Sequence, residues 1–206
     1  VGDARFGADG RGGSLWRENP TVPPHPTTKY QAWNEPNFPT SWGGHPSAAE
    51  YVRMLNACAK TIRGVDSQAE IITAGIADSK QGIRLEKYVT AIKRAHFDSL
   101  AVHSYPAPGH TVTDTLHRAL AAMGGTRKVW LTEFGWATGG PKSSHTVTEA
   151  VQASRVHDAV RSLYRVSRLR GFVYYGWQDL PPYPGRTDYW GFHTGLHWLD
   201  GRPKPA

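Results

Sequence analysis

The sequence contains very little cysteine. Its 206 residues include a single cysteine, Cys58, which excludes an internal disulfide framework. Because Cys58 lies beside Met54 and Leu55 in a helical pattern, we expect a buried structural thiol rather than a nucleophile. No apolar run approaches the length of a membrane span. The given residues show no signal-peptide pattern, which says little because we interpret the start at Val1 as a cut or mature end.

The positive charge of the chain is not concentrated in one patch. Lysine and arginine outnumber acidic residues by 24 to 17, and the resulting net charge of +7 favours an anionic partner. In the densest basic stretch, residues 161–170, Arg161, Arg165 and Arg168 fall on one face of a predicted helix, so a solvated helix face is the simpler interpretation. No nucleic-acid-binding motif accompanies it. Nucleic-acid binding therefore rests on net charge alone, and we expect no such partner.

Short apolar runs alternate with longer helical patterns from residue 30 onward. Strands at roughly thirty-residue spacing are typical of βαβ units and leave an open parallel sheet and a TIM barrel as alternatives. No glycine-rich phosphate loop follows any strand, which counts against a nucleotide-binding open sheet. The predicted strands are 30–33, 70–77, 99–105, 128–136 and 171–177, and the predicted helices are 47–63, 85–94, 113–123 and 147–169.

Local signals mark two of the helix ends. Ser47 followed by Glu50 is typical of a capping box at a helix start. The pair Gly124-Gly125 is typical of a helix end. The two ends of the chain are less regular, since residues 1–25 are rich in Gly, Arg and Pro and residues 180–206 predict a long loop.

Two glutamates stand where predicted strands end. Glu35 lies in the segment WNEPN and Glu133 in LTEFGW, each near tryptophan. The carboxyl ends of barrel strands form the face on which active sites are built. Glycoside hydrolysis needs such a pair, one carboxyl to protonate the leaving oxygen and one ionised to attack the anomeric carbon. The alternative for either glutamate alone is a helix cap or a salt bridge.

These two segments resemble the catalytic strand ends of clan A, the large clan of (β/α)8 retaining glycoside hydrolases, and especially its cellulase-like and β-xylosidase-like families. The resemblance implies that Glu35 closes the fourth barrel strand as general acid/base and that Glu133 closes the seventh as nucleophile. The 98 residues that separate them fit three βα units of about thirty residues each. The implied activity is retaining cleavage of β-glycosidic bonds in poly- or oligosaccharides, without a cofactor.

The same resemblance implies four further residues of the sugar site. Asn34 would hydrogen-bond the sugar 2-hydroxyl, unless it is a turn-capping amide. Tyr105 would hydrogen-bond the nucleophile and keep it ionised. His103 would line the −1 subsite, unless it is a satisfied buried histidine. Trp177, at the end of the eighth strand, would lie under the −1 sugar, unless its ring belongs to the core.

Other tryptophans and two histidines are weaker candidates. Eight Trp and nine Tyr are a heavy load for this length, and we expect most of them to pack in or around the core. Trp42 and Trp136 are candidates for further sugar-binding rims. His193 and His197 have the spacing of helical metal ligands, but Gly195 and the loop context argue against it. We predict no metal site.

The resemblance begins part-way through a barrel. Residues 7–20 resemble the end of the third helix and its following loop, and residues 201–206 resemble the segment before the eighth helix. We therefore predict one catalytic domain over residues 1–206 with an α/β fold. It is a partial TIM barrel of about five βα strands, which lacks the first three units and the last helix.

A partial barrel leaves several interpretations open. The chain is a fragment of a longer protein, a naturally shortened barrel, or a barrel that closes by self-association, because an open sheet exposes both edges. A second function is a non-catalytic carbohydrate-binding remnant that keeps its tryptophan platforms. In each case we expect a carbohydrate partner and a secreted or extracellular protein.

Overall fold

The structure is a computed structural model and describes residues 18–21, 27–78, 80–185 and 187–206. Within these residues, strands and α-helices alternate along the chain. The strands are β1 (Lys29–Asn34), β2 (Glu70–Ala77), β3 (Ser99–Ser104), β4 (Lys128–Phe134) and β5 (Leu169–Tyr174). The helices are α1 (Ala48–Val65), α2 (Leu85–Ile92), α3 (Val112–Met123) and α4 (Glu149–Leu163), and two short 3₁₀ helices are Pro39–Ser41 and Trp190–His193.

All five strands form one parallel sheet in the order β1-β2-β3-β4-β5. Each strand pairs with the next one in the sequence through a helical crossover, so all five end at the same edge of the sheet. The register places Asn34 opposite Gly75 and His103 opposite Glu133. The predicted α/β fold with five parallel strands is confirmed, and β1 and β5 are the two edges of an open sheet.

The core lies between the helices and one face of this sheet. Strands β2 and β3 are buried along nearly their whole length. Burial of each large apolar side chain contributes about 1.5–3 kcal/mol, so this layer holds the helices on the sheet. Its fully buried side chains include Tyr51 and Leu55 of α1, Tyr88 of α2, Leu116 of α3 and Leu163 of α4.

Helix capping differs in part from the sequence prediction. The Ser47 hydroxyl accepts the backbone N–H of Glu50 at 3.3 Å, as predicted. The Glu50 carboxylate does not complete the capping box, because it accepts the indole N–H of Trp42 at 3.2 Å instead. A complete capping box occurs at α3, where Thr111 and Asp114 each accept the backbone N–H of the other.

The last helix is shorter than predicted. The pattern of residues 147–169 predicted helix throughout, but α4 ends at Leu163 and β5 already begins at Leu169. The reason is strand pairing, because the carbonyl of Arg168 accepts the backbone N–H of Val129. Of the three basic residues assigned to one helix face, Arg161 lies on α4, whereas Arg165 and Arg168 lie in the turn after it.

Three smaller expectations have different outcomes. Cys58 is half-buried rather than buried. The predicted loop at 180–206 contains one 3₁₀ turn and is tied back by isolated bridges between Gln178 and His197 and between His197 and Pro203. Most of the segment 7–20, compared above with a third helix, lies outside the described residues. Among the helices of the described residues, none is both long and apolar enough to cross a membrane.

Candidate active site

The segment after β1 holds Glu35 in a rare backbone conformation. Trp33 and Glu35 have positive φ angles of 79° and 44°, which cost non-glycine residues about 1–3 kcal/mol each. The buried Asn37 side chain offsets this strain. Its amide donates to the carbonyls of Ala77 and Ile83 at 2.9 Å each, and its oxygen accepts the Ala77 N–H at 3.0 Å. The loop is thereby tied to the end of β2.

His103 of β3 joins the two predicted catalytic carboxylates. Its Nδ1 lies 2.9 Å from Glu35 Oε1 and 3.3 Å from Glu133 Oε2. The Tyr105 hydroxyl donates to Glu133 Oε2 at 2.8 Å. Polar side-chain atoms of Glu35, His103 and Glu133 all lie within 4.8 Å of one another. The structure therefore brings together four residues that were selected from three separate strand ends.

His103 reaches this position because the neighbouring strand has a glycine opposite its ring. A Cβ atom added at Gly75 would lie 1.9 Å from His103 Nε2, far inside van der Waals contact. The His103 side chain is 1% exposed. Two carboxylate oxygens face its Nδ1, which indicates that this nitrogen carries a proton. His103 is thus a buried histidine with hydrogen-bond partners, and it also belongs to the carboxylate cluster, by which we mean Glu35, His103, Tyr105 and Glu133.

Burial raises the pKa of Glu133 above its ordinary value. Loss of solvation is the largest cause, and the nearby charge of Glu35 acts in the same direction. His103 and the Tyr105 hydroxyl oppose this rise in pKa, because both stabilise the ionised carboxylate. Burial and the negative charge of Glu133 also raise the pKa of Tyr105, so its hydroxyl stays protonated and remains a donor.

The substitution Tyr105→Phe should raise the pKa of Glu133 further. The change removes a hydrogen bond to the ionised carboxylate and leaves the burial in place. An NMR titration of the Glu133 carboxyl carbon measures the shift directly and does not depend on activity. As a control, Tyr164→Phe removes a hydroxyl from a residue that is 80% exposed and should leave that titration unchanged. An unchanged or lower Glu133 pKa in Tyr105→Phe would contradict the stabilising role of the hydroxyl.

A cavity of about 370 Å³ opens beside these groups and is partly walled by aromatic rings. Trp190, from the second 3₁₀ helix, packs its ring 5.0 Å from that of Tyr105 and 4.6 Å from that of His145. Both Trp190 and His145 line the cavity with Glu35 and His103. Sequence analysis missed Trp190 and His145, which lie outside the predicted strands and helices. The one signal for Trp190 is that residues 180–206 are rich in aromatic residues.

The sequence matches the family model described as "Glycosyl hydrolase catalytic core" over residues 19–182. The chain belongs to this family. No curated protein matches it. The matched range includes Glu35, His103, Tyr105 and Glu133, so the whole carboxylate cluster lies inside the family's catalytic core.

Several solved structures share the fold of this glycosyl hydrolase core. A monomeric β-xylosidase from Caulobacter crescentus CB15 superposes with a TM-score of 0.64 at 18% identity, covering 85% of this chain and 39% of the xylosidase. A β-1,3-glucanosyltransferase from Rhizomucor miehei gives 0.57 at 18% identity, covering 82% and 60%. A curdlan-specific exo-β-1,3-glucanase from Blastomyces gilchristii gives 0.53 at 17% identity, covering 72% and 61%. The chain thus spans well under half of the xylosidase and about three-fifths of the other two.

Two of the predicted tryptophan platforms, Trp177 and Trp42, do not line the cavity beside Glu35. Trp177 is 71% exposed and so does not belong to the hydrophobic core, and its ring lies 4.3 Å from that of His197. Trp42 is half-buried and packs edge-on against the exposed Trp33 on one side and Tyr51 on the other. Trp42 therefore supports Trp33, a residue that the sequence analysis did not select.

The structure corrects the prediction for Trp136. It was a candidate for a sugar-binding rim, but it is 4% exposed and packs edge-on against Phe134 in the core. Its carbonyl accepts the buried Gln152 amide at 2.8 Å, which fixes the segment after β4. Asn34 ends β1 and is exposed beside Glu35, and its bond to a sugar hydroxyl stays a prediction.

The histidines with metal-ligand spacing have separate partners. His193 Nε2 lies 2.9 Å from Asp188 Oδ1, whereas the His197 ring stacks on Trp177. Neither belongs to a group of three ligand-type side chains within the described residues. The one such group there consists of Glu35, His103 and Glu133, in which His103 Nδ1 hydrogen-bonds Glu35 and lies 3.3 Å from Glu133 Oε2.

Proposed function

We propose that this protein is a retaining glycoside hydrolase that cleaves β-glycosidic bonds in poly- or oligosaccharides by double displacement. One observation carries the proposal: an oxygen of Glu35 and an oxygen of Glu133 lie within 4.8 Å of each other. Retaining enzymes place their two carboxyl groups about 5–5.5 Å apart, whereas inverting enzymes leave about 6.5–9.5 Å for a water molecule.

In the first step, the Glu133 carboxylate attacks the anomeric carbon and forms a glycosyl ester. The glycosidic C–O bond breaks, and the Glu35 carboxyl donates its proton to the departing oxygen. In the second step, Glu35 removes a proton from water, and that water hydrolyses the ester and releases Glu133 as a carboxylate. Glu35 starts the first step protonated and the second step ionised, as microscopic reversibility requires.

The neighbours of the two glutamates fit these roles. Tyr105 donates a hydrogen bond to Glu133 and so favours the anion that attacks. His103 contacts both carboxylates and holds them at a fixed separation. Pre-organisation of this kind lowers the barrier, because the groups need little reorganisation when charge develops.

The test uses the full 206-residue chain with β-1,4-xylan, β-1,4-glucan and β-1,3-glucan. We expect sugar release from at least one of these polysaccharides, and proton NMR of the first product should show the β-anomer. Release of the α-anomer would contradict the retaining mechanism. Activity outside the cell, which we also propose, fits polymeric substrates that cannot cross a membrane.

The second candidate is a non-catalytic carbohydrate-binding module. It is favoured by the partial barrel and by the exposed rings of Trp33 and Trp177, which are 56% and 71% exposed. Rings of this kind stack on the apolar faces of sugars. This alternative predicts glycan binding without hydrolysis, and binding that survives Glu133→Gln. Detectable sugar release by the purified chain would eliminate it.

A further inference from the structure

A second, larger cavity continues from the active-site cavity. Its volume is about 710 Å³, which lies within the range of about 300–1,000 Å³ typical of ligand sites. The two cavities share four lining residues, Asp78, Gln81, Tyr105 and His145. They therefore form one continuous cleft, which runs from Glu35 over the ends of β2 and β3 towards α3. We call the larger part the outer groove.

The junction between the two parts has one polar and one aromatic wall. On the polar side, Arg118 holds both oxygens of Asp78 at 2.8 and 3.0 Å, and the Thr115 hydroxyl donates to Asp78 Oδ2 at 3.3 Å. A carboxylate offers about four acceptor positions, and the bonds from Arg118 and Thr115 use three of them. The aromatic side is His145, whose ring packs on Trp190.

This pairing of walls suits a sugar ring. A β-linked pyranose presents hydroxyl groups at its edge and C–H groups on its faces, so its edge fits a carboxylate and its face fits a ring. Asp78 is a good acceptor because it is already ordered: its side chain is 28% exposed, and its ion pair with Arg118 fixes both oxygens. Little side-chain entropy is lost when a hydroxyl binds to a group held in this way.

The charges of the outer groove point to a neutral ligand. Its described lining includes three acidic side chains and three basic ones: Asp78, Glu86 and Asp114, and Lys80, Arg84 and Arg118. Arg118 bridges two of the acids, with Glu86 at 2.5 Å and Asp78 at 2.8 Å. The net positive charge of the whole chain is therefore not concentrated here, and the groove offers no excess of cations to an anionic glycan.

We propose that the outer groove binds the leaving-group side of a neutral β-linked glycan and that Asp78 accepts hydrogen bonds from its hydroxyls. This inference rests on the hydrolytic function proposed above. The groove meets the active-site cavity at Asp78, which directly follows β2, the strand paired with β1, and Glu35 directly follows β1. Glu35 is the group that protonates the departing oxygen, so the departing sugars lie on this side.

The experiment measures binding rather than turnover, so its failure is distinct from a failure of hydrolysis. Calorimetric titrations use Glu133→Gln as the parent, with xylo-oligosaccharides and laminari-oligosaccharides of one to six sugars. We expect affinity to increase beyond two sugars in at least one series. Adding Asp78→Asn should weaken binding of the longest oligosaccharide tenfold or more and change monosaccharide binding much less.

The matched control is Asp98→Asn in the same parent. Both carboxylate oxygens of Asp98 likewise accept an arginine N–H, from Arg63 at 2.7 Å, but Asp98 lies at the opposite end of the sheet. Equal effects of Asp78→Asn and Asp98→Asn on oligosaccharide binding would overturn the proposal, as would affinity that does not depend on length. Absence of binding in both neutral series, or tighter binding of oligogalacturonates, would overturn the neutral-glycan assignment. Thermal unfolding of each variant separates lost binding from lost folding.

Discussion

Substitution of Glu133 by Gln should lower kcat roughly 10⁴-fold or more, which corresponds to at least about 5.5 kcal/mol of transition-state stabilisation. Gln has the shape of Glu and can still accept the Tyr105 hydroxyl bond, so the site keeps its geometry. Gln lacks the negative charge that attacks the anomeric carbon in the proposed mechanism, so no glycosyl ester should form. Initial rates on the best polysaccharide of the panel measure this loss.

Two further variants make the result specific to Glu133. Glu149→Gln makes the same chemical change in the first turn of α4, outside the cluster of Glu35, His103 and Glu133, and should keep full activity. Glu35→Gln should lose less activity on a dinitrophenyl glycoside than on the polysaccharide, because a good leaving group does not need the proton of Glu35. If Glu35→Gln and Glu133→Gln lose the same activity on both substrates, the assigned roles are wrong.

The carboxylate pair could be predicted because each half of it is a local signal. WNEPN and LTEFGW each sit where an apolar run gives way to a loop, and parallel strands bring their ends to one edge of a sheet. The intervening βα units then determine how far apart along that edge Glu35 and Glu133 lie. Neither step requires knowledge of a long-range side-chain contact.

The supporting residues were harder to predict, because their roles depend on contacts between distant segments. Asn37 looks like an ordinary turn residue, yet it is fully buried and anchors Glu35 to β2. Gly75 lies in a strand of mostly apolar residues, and only the packing of the His103 ring against β2 shows that the missing side chain makes room for it. Short-range patterns carry no information about such pairings.

The aromatic residues show the same limit. Trp136 lies two residues after the end of β4, and Trp190 begins the short 3₁₀ helix of the C-terminal segment. Packing against Phe134 puts Trp136 in the core, whereas contact with Tyr105 and His145 puts Trp190 in the active-site cavity. Composition favours sugar binding by some of the rings, but tertiary contacts decide which rings face a cavity and which are buried in the core.

Substitution of Lys204 by Met should destabilise the protein by about 3–5 kcal/mol, the usual result when one partner of a buried ion pair is removed. The Lys204 side chain is fully buried, and its Nζ donates to Asp179 Oδ1 and to Thr138 Oγ1 at 2.8 Å each. Its charge also lies 4.5 Å from the centre of the Trp198 ring. Met fills similar space but leaves the Asp179 carboxylate, 4% exposed, without its counter-charge. Urea unfolding followed by tryptophan fluorescence measures the change.

The comparison variant is Arg202→Met, which breaks the neighbouring ion pair between Arg202 and Asp200 on the surface. Both of its side chains are more than half exposed, so water replaces the lost contact and the midpoint should barely move. Asp179→Asn in the Lys204→Met background should recover part of the loss, because it removes the unpaired charge and keeps an oxygen to accept the Gly195 N–H. Equal urea midpoints for Lys204→Met and Arg202→Met would show that the buried ion pair between Lys204 and Asp179 does not stabilise the fold.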